Sequence, residues 1–288
     1  MFSTRVALPP VPAVLLAMFS IVGGAAIAKG LFPVLGAAGT AGIRIGLSAV
    51  ILLAVFRPPL ARLSAAQWRA VVPYGMVLGL MNLLFYFAIA RIQLGLAVTL
   101  EFIGPLGVAV LGTRRAVDVA WVALAAAGIA LIAPWSGRGL DPAGVLLALL
   151  AGACWAAYIV LGQRASRVLA GGTAVATGMT VAALTVVPIV LAMDGFATLT
   201  PRLLAMGAVV ALLSSAIPYS LEMIALRALP ARTFGILMSL EPAAAALCGL
   251  IFLGEHLTGA QWLAVGLVIA ASAGATVSAR DIPAPIEV

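Results

Sequence analysis

The chain has 288 residues, of which 64% are hydrophobic and only 9% charged, against about 25% charged in an ordinary soluble domain. No soluble fold of this length has interior enough to hide that much apolar surface, so lipid is the solvent for most of it. The net charge of +7 does not point to nucleic acid, because the arginines stand singly or in pairs at the ends of apolar runs, as topology determinants do.

A helix needs about 20 apolar residues to cross the hydrocarbon core. By that ruler the first five predicted spans are Pro12–Leu31, Ala38–Phe56, Trp68–Ala90, Leu94–Gly112 and Val117–Pro134. The second five are Pro142–Leu161, Gly172–Met193, Leu203–Leu226, Thr233–Leu253 and Gly259–Ala279. Short connections such as Arg57-Pro58-Pro59, Arg114-Arg115 and Asp194-Gly195 hold turn formers and most of the arginines. No linker is long enough to mark an independent soluble domain. Gly42-x-x-x-Gly46 and Gly75-x-x-x-Gly79 fit the small-xxx-small pattern of closely packed membrane helices.

Basic residues set the orientation. With the amino terminus in the cytoplasm, that side carries Arg5, Arg57, Arg62, Arg69, Arg114, Arg115, Arg164, Arg167, Arg227, Arg232 and Arg280. The other side carries Lys29, Arg91, Arg138 and Arg202, and Arg44 lies within a span. The bias places both termini in the cytoplasm.

The chain also repeats itself. Leu16–Ala28 (LAMFSIVGGAAIA) resembles Leu147–Ile159 (LALLAGACWAAYI), and Val98–Glu101 (VTLE) matches Met238–Glu241 (MSLE). Five spans per half is an odd number, so the second half must lie upside down relative to the first. The predicted fold is an all-α membrane protein of ten transmembrane helices arranged as two inverted five-helix repeats. These are residues 1–135 and 136–280, followed by a short cytoplasmic tail, 281–288.

Each half has one glutamate deep in an apolar segment, Glu101 in VTLEFIGPLG and Glu241 in LMSLEPAAAA. An ionisable group there is expensive and by default marks a substrate or proton pathway. Each is followed by a proline, Pro105 or Pro242, and a proline frees a backbone carbonyl one turn back. The structural alternative is a carboxylate hydrogen-bonded between helices. Glu222 follows the polar run Ser214–Ser220 and either lines a cavity or marks an interfacial kink. Arg44 pairs with Glu101 or contacts a substrate carboxylate, whereas Lys29 is read as snorkelling to the membrane surface. Asn82, Tyr86, Trp155, Tyr158 and Tyr219 could orient a small solute, although aromatics near span ends also serve as interface anchors.

Cys154 and Cys248 read as small buried hydrophobes, and His256, the single histidine, as a solvated loop residue. No metal site and no cofactor is expected. An intramembrane enzyme would need a nucleophile with a base, a metal cluster or paired aspartates, and no catalytic residue is assigned. A channel is disfavoured because nothing resembles a filter loop or a charged ring.

The layout resembles the drug/metabolite transporter superfamily of the EamA type, whose members carry two five-helix repeats. Ala28–Pro33 (AKGLFP), Leu100–Leu106 (LEFIGPL), Gly152–Ala165 (GACWAAYIVLGQRA) and Ile217–Pro242 are similar to its threonine/homoserine exporter group. That resemblance implies proton-coupled export of small neutral amino acids across the bacterial inner membrane. It implies a cavity lined largely by spans 1, 3, 4, 6, 8 and 9, and its matching segments include Glu101, Glu222 and Glu241. The implied partners are an amino-acid substrate, protons and the lipid bilayer. Without the resemblance, the residues leave open a transporter of the same architecture for another small metabolite or drug.

Overall fold

In lipid the backbone must satisfy its own N–H and C=O groups, and a chain of long apolar runs does so as helices. The computed structural model describes residues 9–111, 116–132, 141–169, 171–218, 221 and 231–278, and among them it holds twelve α-helices and no strand. They are α1 (Pro10–Gly30), α2 (Phe32–Phe56), α3 (Ala65–Ile89), α4 (Leu94–Glu101), α5 (Ile103–Leu111) and α6 (Ala116–Ile132), then α7 (Pro142–Val168), α8 (Gly171–Ala192), α9 (Pro201–Ala211), α10 (Ala231–Met238), α11 (Glu241–Leu253) and α12 (Gly259–Ser278). Seven helical stretches are long and apolar enough to cross a membrane, and Leu94–Val108, Val119–Leu131 and Pro201–Ser215 are shorter apolar ones. Their number fits the ten predicted spans, and the second half of the eighth, toward Leu226, lies largely outside the described residues.

Helix starts follow local chemistry. Ser64 opens α3 with a capping box, its hydroxyl accepting from the Gln67 N–H while the Gln67 side chain accepts from the Ser64 N–H. Thr258 and Gln261 repeat that box before α12. Asp141 caps α7 through the Ala143 N–H at 2.9 Å. α7 continues to Val168, beyond the predicted end at Leu161. Its last turns pack on α3, where Gln67 Nε2 donates to the Val168 carbonyl at 3.1 Å.

Several spans are interrupted. Phe102 separates α4 from α5, and Ser239-Leu240 separates α10 from α11. α2 bends at Gly36, whose φ of 66° and ψ of 169° lie outside the helical region; Thr40 Oγ1 donates to the Gly36 carbonyl at 2.7 Å. A π-helical turn follows α9 at Leu212–Ala216, and Ser20 of α1 donates to its Leu213 carbonyl at 2.6 Å.

Close packing relies on glycine where backbones nearly touch. A Cβ on Gly75 of α3 would stand 2.5 Å from the Gly178 carbonyl oxygen of α8, and one on Gly95 of α4 would stand 2.6 Å from Ala246 Cα of α11. α3 packs mainly on α7 and α8, α2 on α8, α6 on α12, α4 on α11, and α1 on α11 and the α9–π segment.

Two ends of the bundle can be told apart. Lys29, in the last turn of α1, pairs with Glu255 beyond α11 at 2.5 Å and donates to the Ile92 carbonyl at 2.9 Å. The other Glu255 oxygen accepts the Leu94 N–H at 2.7 Å, at the start of α4. This pair is mostly buried, so Lys29 does not snorkel: its ammonium has a carboxylate that a tertiary contact brings to it. Nearby, Arg91 pairs with Asp141 at 2.8 Å in an exposed position. The Arg91 hydrogen bond, with help from the Ala143 N–H, holds the Asp141 carboxyl below its usual range. His256 is exposed, as expected.

Candidate functional site

The interruptions position the charges. Glu101 is the last residue of α4 and Glu241 the first of α11, each only 7% exposed. Pro105 has no N–H to give the Glu101 carbonyl, and Pro242 none for that of Met238. Gly104 and Gly152 let α5 and α7 cross at backbone contact beside Glu101, and a Cβ on Gly152 would lie 2.6 Å from the Glu101 carbonyl oxygen.

Both glutamates line one cavity of about 420 Å³. Arg44 of α2, Asn82 of α3, and Trp155 and Tyr158 of α7 line it too, with Ser214 from the π turn. The Glu101 carboxylate makes no ion pair within 4.0 Å among the described residues. Apolar side chains including Val22, Phe85, Val98 and Met179 supply most of the remaining wall.

Arg44 is held in a defined pose. Its Nη1 donates to Asn82 Oδ1 at 2.6 Å, and Asn82 Nδ2 donates to the Leu78 carbonyl at 2.8 Å, which orients the amide. The guanidinium carbon lies 5.4 Å from the Tyr86 ring centroid, within cation–π range. Among described residues Arg44 forms no ion pair; its direct partner is Asn82 rather than Glu101. Tyr86 is fully buried behind Arg44 and does not line the cavity.

On the α7 side, the Trp155 ring meets Phe102 edge-on at 5.3 Å, placing an aromatic wall at the α4–α5 break. Tyr158 stacks on Tyr74 at 5.1 Å, with the two hydroxyls 3.4 Å apart. The structure thus brings Glu101, Glu241, Arg44, Asn82, Trp155 and Tyr158 to one space, with Tyr86 behind it. Glu222 and Tyr219 lie outside the described residues.

Ser272 and Thr276 of α12 also line the cavity and were not singled out from sequence. Ser272 Oγ lies 3.0 Å from Ser239 Oγ, at the α10–α11 break. Their spacing, four apart on one helix face, is a faint signal in an apolar span. The lining therefore extends past the six implied spans to α2, α8 and α12.

A helical bundle with the composition of a lipid-embedded chain, interrupted helices and charged groups in its central cavity is that of a multi-pass membrane transporter. The model of the EamA-like transporter family matches residues 142–277. The threonine/homoserine exporter RhtA of Escherichia coli K12 is 50% identical over 273 residues, covering 94% of this chain and 92% of that protein. RhtA of Salmonella typhimurium SL1344 is 49% identical over 276 residues, 95% of this chain and 93% of its own. An uncharacterized transporter, YwfM of Bacillus subtilis, is 32% identical over 152 residues, about half of each chain. One crystal structure shares the fold, with a TM-score of 0.58 at 20% identity over 95% of this chain and 99% of its own. The chain belongs to the EamA-like transporter family, and these curated relatives are transporters rather than enzymes.

Proposed function

We propose that this protein exports small neutral amino acids, threonine and homoserine among them, across the bacterial inner membrane by proton-coupled alternating access. The observation that carries the reading is the pair Glu101 and Glu241 on one central cavity, in a chain about half identical to two exporters so named. A cavity of about 420 Å³ is at the small end of ligand sites, which suits a solute of amino-acid size. In this mechanism one glutamate receives the substrate ammonium and the other carries the counter-transported proton. Arg44, Trp155 and Tyr158 orient the solute, Asn82 and Tyr86 support Arg44, and Glu222 and Tyr219 contribute from the segment after the π turn.

Residues 1–135 and 136–280 act as two inverted repeats that rock about this site. Reciprocal packing supports that reading. α3 packs on α7 as the α9–π segment packs on α1, and α4 packs on α7 as α11 packs on α1. Exchanging the halves also leaves the pairings α2 with α8, α4 with α11 and α6 with α12 unchanged. The basic-residue bias puts both termini in the cytoplasm and the Lys29 end outside, so the Lys29–Glu255 pair ties the external side of this conformation.

Counterflow of labelled threonine and homoserine in proteoliposomes, with and without an imposed pH gradient, tests the proposal. Uptake that small neutral amino acids compete for and the gradient drives is the expected result. Folded protein that moves no amino acid would overturn it and direct the search to other cargoes of the same architecture.

A further inference from the structure

We infer that Arg44 is the carboxylate-recognising group of the cavity, so that the transporter selects solutes with a free α-carboxylate. The inference rests on the amino-acid reading above and assigns one end of the solute to one side chain. A guanidinium in a largely apolar wall needs a reason to be there. Arg44 has no ion pair among the described residues, yet it is fixed from two sides, by Asn82 Oδ1 and by the Tyr86 ring. Asn82 is itself fixed by the Leu78 carbonyl, so the chain of contacts runs from backbone to amide to guanidinium. One bond from Nη1 to Asn82 leaves the other donors of a planar fork that matches a carboxylate in charge and geometry.

The rest of the cavity has the opposite sign. Glu101 and Glu241 share the space with Arg44, so a zwitterion can set its carboxylate on Arg44 and its ammonium toward a glutamate. An amine lacking the carboxylate would leave the guanidinium unanswered in a low-dielectric wall. Asn82 and Tyr86 are positioning residues in this scheme. They act through Arg44.

The test uses the full chain in proteoliposomes, with labelled threonine counterflow competed by unlabelled threonine, homoserine and L-threoninol, which keeps the ammonium and hydroxyl but lacks the carboxylate. Threoninol should compete at least about tenfold more weakly than threonine, the loss expected of a hydrogen bond to a charged group. Arg44→Gln should raise KM for threonine by about tenfold or more and narrow the gap to threoninol, with Arg44→Lys restoring part of it because it keeps charge but not the fork. Asn82→Ala should raise KM by about threefold with kcat little changed, a split expected of a positioning residue. If Arg44→Gln does not assemble, the wild-type ratio and Asn82→Ala decide the matter. Equal competition by threoninol in the wild type overturns the inference while leaving amino-acid export standing. So does an Arg44→Gln protein with unchanged KM. Absence of any amino-acid counterflow in the wild type instead removes the proposed function, and this inference with it.

Discussion

The two ends of the bundle are built differently. At the Lys29 end, Ala28, Ile89, Leu94, Leu96 and Ala245 are fully buried in one continuous core, capped by the Lys29–Glu255 pair. Toward the opposite end that core continues along α2 through Ala49 and Leu52, and three smaller clusters stand apart from it. One joins α3, α7 and α8 around Tyr74, another joins α5, α6 and α12 around Ala271, and the third joins α1 and α10 around Val14. The cavity reaches toward that end through Leu106, Phe234 and Thr276. Continuous packing excludes water, and the smaller clusters flank the far reach of the cavity. The Lys29 end carries an ion-pair latch, and the cavity extends away from it.

The largest effect is expected inside the cavity. Glu241→Gln should lower proton-coupled transport by about a hundredfold or more with insertion intact, because the proposed mechanism needs both carboxylates of the pair, one for the ammonium and one for the proton; transport rate against pH in proteoliposomes checks it. Next comes the latch. Lys29→Met should cost about 2–4 kcal/mol, since it leaves Glu255 mostly buried without its cation. A cysteine placed at Ala25, with Cys154 and Cys248 changed to alanine, should then label several-fold faster with an impermeant thiol reagent from the Lys29 side. The exchanged pair Lys29→Glu with Glu255→Lys should recover part of the protection.

Gly95→Val probes the same closed end by crowding it. Its added Cβ would sit 2.6 Å from Ala246 Cα, so melting in detergent should fall by a shift equivalent to about 1–3 kcal/mol. The smallest effect belongs to the exposed Arg91–Asp141 pair. Asp141 titrates below the usual carboxylate range because Arg91 and the Ala143 N–H favour its charged form. Its stabilising contribution is therefore complete above the ordinary carboxylate pKa of about 4 and is lost only as pH falls through the lower folded value. Asp141→Asn should leave the melting temperature nearly flat between neutral pH and about pH 5, and should differ from the wild type less in strong acid.

Ten spans were legible because lipid leaves a chain little choice: each long apolar run must be a helix. Glu101 and Glu241 were legible for the converse reason, since an acid in such a run has no cheap place to be. The helix breaks were half visible. Pro105 announced one, but the turn sits at Phe102, and the Gly36 bend carried no charge or motif to mark it. Lys29 was misread because its partner Glu255 lies 226 residues away in sequence. Arg44 lies inside a long apolar helix, as read, but its partner Asn82, 38 residues on, depends on how α2 and α3 meet. Ser272 and Thr276 went unnoticed because hydroxyls in an apolar span satisfy themselves on the backbone one turn back, as Thr276 does on the Ser272 carbonyl.

The measurement that bears most directly on the account is proton movement driven by threonine. Liposomes loaded with a pH-sensitive dye and the wild-type protein are given an outward threonine gradient, and the internal pH is followed. Acidification of the lumen is expected, and it should disappear in Glu241→Gln and in the double change with Glu101→Gln. Threonine movement with no proton signal, or an undiminished signal in the double variant, would contradict it.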